Sequence, residues 1–124
     1  MSGSRLLLDT NVALYLLRGD RSAADAIQGQ EVHISFITRM ELLSKPGMTR
    51  TETRQVEAFA DEWPMVELNR AIMDHAILLR REHRIKIPDA IIAATAIFMN
   101  VPLLTVDTGF IRLRAEVALL MYEP

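Results

Sequence analysis

Four acidic residues stand where short apolar segments give way to other structure. Asp9 directly follows Leu6-Leu7-Leu8, and Asp107 follows Leu103-Leu104-Thr105-Val106. Asp89 follows Ile85-Lys86-Ile87-Pro88 and opens a long apolar run, and Glu41 lies about one helical turn beyond the segment Glu31–Ser35. Carboxylates crowded together repel one another, and some stay protonated unless a cation holds them. Hard divalent cations accept such all-oxygen sites, and Mg²⁺ in particular favours carboxylates, water and phosphate oxygens. The chain has no cysteine and three histidines far apart in sequence, so thiolate and histidine-rich metal sites do not compete. Thr10, Asn11 and Thr105 stand beside these acids. Their side chains are candidates to hydrogen-bond the carboxylates or a metal-bound water, with Ser35 and Thr38 behind them.

Each acid also has a purely structural reading. Asp9 suits a helix cap, Asp89 complements a positive helix N-terminus, and Asp107 starts an Asp-Thr-Gly turn. Glu41 completes a Thr38-x-x-Glu41 capping box and stands four residues before Lys45, the spacing of a helix ion pair. Taken together the four are harder to set aside, because three of them are flanked by apolar segments where solvent-seeking acids do not belong.

The elements that would position them alternate strand and helix. Residues 5–8, 31–35, 65–68 and 102–106 read as short apolar strands, with a fifth at 117–121. Residues 10–18, 22–28, 36–44, 49–62, 70–83 and 88–99 read as helices; Thr49 and Glu52 form a capping box, and 70–83 carries an apolar face at Ile72, Ala76 and Leu79. The helix at 88–99 is apolar nearly all round and should be buried, its alanines packing close to a sheet. This alternation predicts an α/β fold with a mostly parallel sheet and helices on both faces. Ligands in such sheets lie beyond the carboxyl ends of the strands, where strand order reverses. That is the edge to which these acids are delivered.

Length and composition agree. The 124 residues suit a single domain, half of them are hydrophobic, and a net charge of −2 excludes both a strongly basic nucleic-acid binder and an acidic disordered tail. Residues 1–4 read as a flexible leader, no targeting segment or membrane span is visible, and a cytoplasmic protein is expected. Twelve of the fourteen basic residues are arginine, a side chain suited to phosphate and carboxylate. Arg80, Arg81, Arg84 and Lys86 form a basic stripe whose default reading is a solvated face, with contact to an RNA backbone as the alternative. His33, His75 and His83, and likewise Trp63, Tyr15 and Tyr122, read as packing or surface residues.

The acid-bearing strings resemble the motifs of PIN-domain ribonucleases. Leu6-Leu7-Leu8-Asp9-Thr10-Asn11-Val12 resembles the family's opening, and Ser35-Phe36-Ile37-Thr38-Arg39-Met40-Glu41-Leu42-Leu43 its second acidic motif. Ile87-Pro88-Asp89-Ala90-Ile91-Ile92-Ala93-Ala94-Thr95-Ala96 is similar to the third, and Leu104-Thr105-Val106-Asp107-Thr108-Gly109-Phe110 to the fourth. In that last string many members carry Asn where Asp107 stands and an acid just before the Phe, where this chain has Gly109. The order of motifs and the small size look most like the VapC toxins of VapBC toxin–antitoxin pairs.

The resemblance implies a three-layer α/β/α PIN-like fold over 1–124, with four to five strands. It implies a Mg²⁺-dependent endoribonuclease, Mn²⁺ being a possible substitute, in which Asp9, Glu41, Asp89 and Asp107 hold one or two ions. It further implies a homodimer, an RNA substrate, a VapB-like antitoxin and no membrane partner. A catalytically idle PIN module used for binding is the alternative. A Mg²⁺-binding receiver-like domain is a more distant one, because it wants paired acids after the first strand and a lysine near the last.

Overall fold

The three leucines of Leu6-Leu7-Leu8 are all buried, and they point to opposite sides of one strand. Leu7 packs with Leu103 in a core completed by Ile72, Leu79 and Ile92, whereas Leu6 and Leu8 pack with Leu104, Ile34 and Val12 on the other side. A strand buried on both faces needs a helical layer on each. In the computed structural model, which describes residues 4–123, the chain supplies both layers.

The elements run β1 (Arg5–Leu8), α1 (Thr10–Leu17), α2 (Arg21–Ile27), β2 (Glu31–Ser35), α3 (Phe36–Leu43), α4 (Arg50–Ala60), β3 (Met65–Val66), α5 (Arg70–His83), α6 (Ile87–Met99), β4 (Leu103–Thr105), a 3₁₀ helix (Thr108–Leu113) and β5 (Leu119–Met121). All five strands are parallel, in the order β3-β2-β1-β4-β5. The architecture is the expected α/β sheet between helices, and its parallel pairing is complete rather than partial. The strand order excludes the receiver-like alternative, whose doubly wound sheet places the third strand inside, as 2-1-3-4-5. Here β3 is an edge, and the order reverses between β1 and β4.

Side-chain caps start most helices. Asp9, Asp20, Ser35, Thr49 and Asn69 each accept a backbone N–H of the helix they precede, and Thr49 with Glu52 closes the expected capping box. Lys86 precedes α6 without a side-chain cap, and Pro88 sits in its first turn, where a missing N–H costs nothing. Helices α5 and α6 end on Arg84 and Asn100, both in the left-handed region at φ 56° and 55°.

Several expectations need correction. Thr38 and Glu41 form no capping box: Ser35 caps α3, so Thr38 falls inside the helix and is buried. Glu41 makes no ion pair with Lys45 among the described residues. The strands expected at 65–68 and 102–106 shorten to Met65–Val66 and Leu103–Thr105. Helix α6 is buried all round through its middle, from Ile92 to Ala96, but not at its ends, where Ile87 is 58% and Phe98 49% exposed. Of the leader expected at 1–4, residues 1–3 lie outside the described residues, and the Ser4 carbonyl accepts Glu31 N–H at 2.9 Å.

Candidate functional site

The reversal between β1 and β4 leaves a cleft beyond their carboxyl ends. Register puts it there: Leu7 pairs with Leu103 and Leu8 with Leu104, and Asp9 N–H donates to the Leu104 carbonyl at 3.1 Å. The cleft holds about 250 Å³ and is lined by Asp9, Thr10, Asn11, Glu41, Asp89 and Asp107, with Leu14, Ile92 and Phe110 as its apolar wall. Four different elements therefore deliver the four acids singled out in the sequence to one place.

Asp9 is both a cap and a cleft residue. It is 2% exposed. Its Oδ1 accepts Val12 N–H at 2.9 Å, capping α1, and its Oδ2 accepts the Thr105 hydroxyl. Thr105, fully buried at the end of β4, also accepts Asp107 N–H at 2.9 Å. One hydroxyl thus ties the acid after β1 to the loop carrying the acid after β4. Asp107 Oδ1 accepts Gly109 N–H at 2.8 Å and starts the 3₁₀ helix, so its expected turn role is also present. A Cβ at Gly109 would stand 3.0 Å from that oxygen, tight enough to displace the carboxylate.

Glu41 reaches the cleft from the exposed side of α3. It accepts the Thr10 hydroxyl at 2.6 Å. Thr10 has one proton and gives it to Glu41, so Thr38 donates in the 3.0 Å contact between the two threonine hydroxyls. The buried Thr38 therefore supports Glu41 through Thr10. Thr38 is the residue that sequence reasoning undervalued: a threonine three residues before a glutamate reads as a cap until the true cap is known. Asn11 is exposed at the cleft mouth, and Ser35 serves as the cap of α3. Asp89 sits in the first turn of α6.

The electrostatics are those of crowded acids. Burial pushes the Asp9 carboxyl above the usual carboxylate range, opposed by its bonds from Thr105 and Val12 and reinforced by Asp107 and Asp89. Asp89 is also raised, first by burial, then by Asp107 and Glu41, with Lys86 pulling the other way. Behind the cleft the Tyr122 phenol is pushed up to about 12 by burial and by Asp20 and Asp9. It stays neutral at any physiological pH, its buried hydroxyl without a hydrogen-bond partner among the described residues.

None of the four cleft acids has a basic side chain within 4.0 Å among the described residues. An all-oxygen set, without a protein counterion and with two members resisting ionisation, is a set that a hard divalent cation fits. No three of the cleft acids bring their ligating atoms within 4.8 Å of one another; among the described residues Glu82, His83 and Glu116 do so, outside the cleft. There His83 Nε2 already lies 3.0 Å from Glu116, so that group satisfies itself as a surface hydrogen-bonded pair with a neighbouring acid.

No histidine lines the cleft. His33 lies within β2, His75 is exposed on α5, and His83 ends α5. Trp63 packs edge-on against Phe59 with centroids 4.6 Å apart, and Tyr15 and Tyr122 pack against the core on the α1 side of the sheet.

Against known proteins, the family model for the PIN domain matches residues 6–116. No curated protein matches the chain in sequence. A chain of a toxin–antitoxin complex from Klebsiella pneumoniae is 27% identical, with a TM-score of 0.83 over 96% of this chain and 99% of that one. A chain of VapBC2 from Rickettsia felis, solved with a promoter DNA fragment, is 21% identical with a TM-score of 0.83 over 96% and 99%. A chain of FitAcB from Neisseria gonorrhoeae is 22% identical with a TM-score of 0.78 over 93% and 96%. The last two are likenesses of fold.

Proposed function

The chain belongs to the PIN domain family, and from that membership and its four-acid cleft we propose that it is a metal-dependent endoribonuclease, the toxin half of a VapBC-type toxin–antitoxin pair. The observation that carries the reading is the convergence of Asp9, Glu41, Asp89 and Asp107 on one cleft without a protein counterion among the described residues. The likeness to a chain of the Klebsiella toxin–antitoxin complex supports the toxin role and a VapB-like partner.

Asp9, Glu41, Asp89 and Asp107 are the residues that would hold Mg²⁺, or Mn²⁺ in its place, as one or two ions. A bound divalent cation supplies neutralisation of the phosphate and a water of lowered pKa. The chain's own contribution is to hold the carboxylates still. Thr105 fixes Asp9 and the Asp107 loop together, Thr10 and Thr38 fix Glu41, and the α1 cap fixes Asp9. Such outer hydrogen bonds orient ligands and commonly govern affinity. Asn11, exposed at the mouth, is placed to meet substrate. Leu14, Ile92 and Phe110 limit water on the inner side.

No described helix is long and apolar enough to cross a membrane; RNA is the substrate in the cytoplasm on this reading. Leu68, Met73, Ile77 and Ile87 expose apolar surface around a depression between α5 and α6, a face that a second copy of the chain would cover in a homodimer.

The test is cleavage of single-stranded RNA with Mg²⁺, with Mn²⁺ and with chelator, beside Asp9→Asn and Asp89→Asn. Cleavage leaving 5′-phosphate and 3′-hydroxyl ends, lost in all three controls, is expected. Activity that survives chelation or both substitutions refutes the reading, and so does 2′,3′-cyclic phosphate on the products. A wild-type protein inactive on RNA with either metal would make the chain a binding module.

A further inference from the structure

The cleft acids face a problem that the cation alone does not solve: a polyanionic strand must be held on both sides of the bond to be cut. One rim of the cleft is built for this. The 3₁₀ helix starts at Asp107 and returns to the end of α5, where the Arg112 guanidinium donates to the His83 carbonyl at 3.1 Å. From there the chain passes through Arg84 and Lys86 to Asp89, and Lys86 is close enough to act on the Asp89 carboxyl. Asp107, the 3₁₀ helix, the α5–α6 corner and Asp89 therefore form one continuous arc, which meets the cleft at Asp107, Phe110 and Asp89.

Between Asp107 and Asp89 that arc carries Arg84, Lys86, Arg112 and Arg114, with Arg80 and Arg81 behind it at the edge of the α5–α6 depression, against two further acids, Glu82 and Glu116, in a chain whose net charge is −2. None of the six cations has a carboxylate within 4.0 Å among the described residues, whereas Arg39 and Arg70 elsewhere are paired with Asp61 and Asp74. Three of the six are held by backbone carbonyls instead. Arg80 donates to Ile85 at 2.6 Å, Arg112 to His83 at 3.1 Å and Arg114 to Ile111 at 3.2 Å. A neutral carbonyl fixes a guanidinium without cancelling its charge, so these side chains are ordered and still available to an anion. Arg84 is fixed through its backbone, as the left-handed residue that ends α5.

We propose that this rim binds the sugar–phosphate backbone of single-stranded RNA beside the bond to be cut. The inference rests on the nuclease reading for its substrate, but its own content is the surface and the contacts. Arg84 and Lys86, between His83 and Asp89, take the phosphates nearest the acids; Arg112 extends the track along the 3₁₀ helix. The contacts are to phosphate, so they set affinity and position without reading sequence.

The experiment measures binding of a short, unstructured fluorescent RNA to the full chain by anisotropy, in chelator so that nothing is cleaved, across a salt series. The variant is Arg84→Gly with Lys86→Gln. Glycine suits the φ of 56° at position 84, so the corner keeps its fold. Loss of two phosphate contacts should weaken binding about tenfold and lower the log–log salt slope by about 1.4, at roughly 0.7 per contact. In the Mg²⁺ cleavage assay KM should rise with binding. Arg54→Gln, on exposed α4 away from the arc, should change neither affinity nor slope.

An unchanged affinity, slope and KM in the double variant, with a wild type that cleaves RNA, overturns the rim and leaves the nuclease intact. A rim-dependent salt slope in a wild type that cleaves no RNA does the reverse. An acidic peptide of equal charge that competes as well as RNA would assign the rim to a protein partner and overturn the proposal.

Discussion

Asp9→Asn should make the metal-free protein more stable and the metal-loaded protein less stable than wild type. The side chain is 2% exposed and accepts two hydrogen bonds. Confining an ionised carboxylate there costs several kcal/mol, recovered in part by the charge-assisted bonds from Val12 and Thr105, each worth about 1.5–3 kcal/mol. Asparagine keeps the size and the bond from Val12 N–H, and its amide can donate to Thr105, whose proton must then find another acceptor. Removing the charge while weakening two bonds by about 1 kcal/mol each leaves a net gain on the order of 1 kcal/mol. For a chain of this length that is about 4 °C in Tm. Wild type at a hundredfold excess of Mg²⁺ over Kd should gain about 2.7 kcal/mol, or roughly 10 °C, and the variant far less. The assay is thermal unfolding of both proteins in chelator and over a Mg²⁺ titration. The two melting curves should exchange order as metal is added. A variant that melts below wild type in chelator would show that the Asp9 charge is well accommodated by the fold. A variant that keeps the full metal response would show that Asp9 is no ligand.

Two further outcomes follow from the same site. The folded-state carboxyls of Asp9 and Asp89 are raised, so the fold retains protons that the unfolded chain releases. Their contribution to stability is therefore full below the unfolded carboxylate range and is lost as pH rises through the raised values; unfolding free energy measured in chelator should fall across that window, and Asp9→Asn with Asp89→Asn should flatten it. Thr105→Val keeps the shape of a fully buried side chain but strands Asp107 N–H and removes a donor from Asp9. It should cost about 2–4 kcal/mol in denaturant unfolding and weaken the Mg²⁺ response, whereas Thr105→Ser should restore most of both.

The strands and the acids that end them were legible because burial on both faces forces an unbroken apolar run, and an acid breaking that run marks the carboxyl edge. Leu6-Leu7-Leu8-Asp9 carries all of that in four residues. Capping is local chemistry, so Thr49 with Glu52 and the face of Ile72, Ala76 and Leu79 read correctly too. Thr38 misled because the same local rule fits two registers. With Ser35 as the cap, α3 begins three residues earlier than the Thr38 box requires, and the freed hydroxyl meets Thr10 across 28 residues of sequence. Strand order was not legible at all, since Leu7 meets Leu103 through pairing that no short window contains. The rim had the same obstacle. Arg80 to Lys86 looked like a solvated stripe until the Arg112 bond to His83, 29 residues away, joined it to the Asp107 loop.

The net charge of −2 hides a separation with mechanical consequences. Setting aside the four cleft acids leaves a balance of +2, and much of the positive excess lies on one rim. Without a cation the cleft repels a phosphate that the rim attracts, so a strand can be held alongside the acids but not drawn in among them. A divalent cation in the cleft removes that opposition, and a phosphate among the acids in turn adds an oxygen anion to the cation's surroundings. Each should then tighten the other by the same factor, as linkage requires of two ligands on one protein. The raised carboxyls of Asp9 and Asp89 strengthen the dependence, because a proton on either must leave before the cation is fully held. On the proposed reading, the acids that burial disfavours do more than bind an ion. They make productive docking of RNA conditional on its presence.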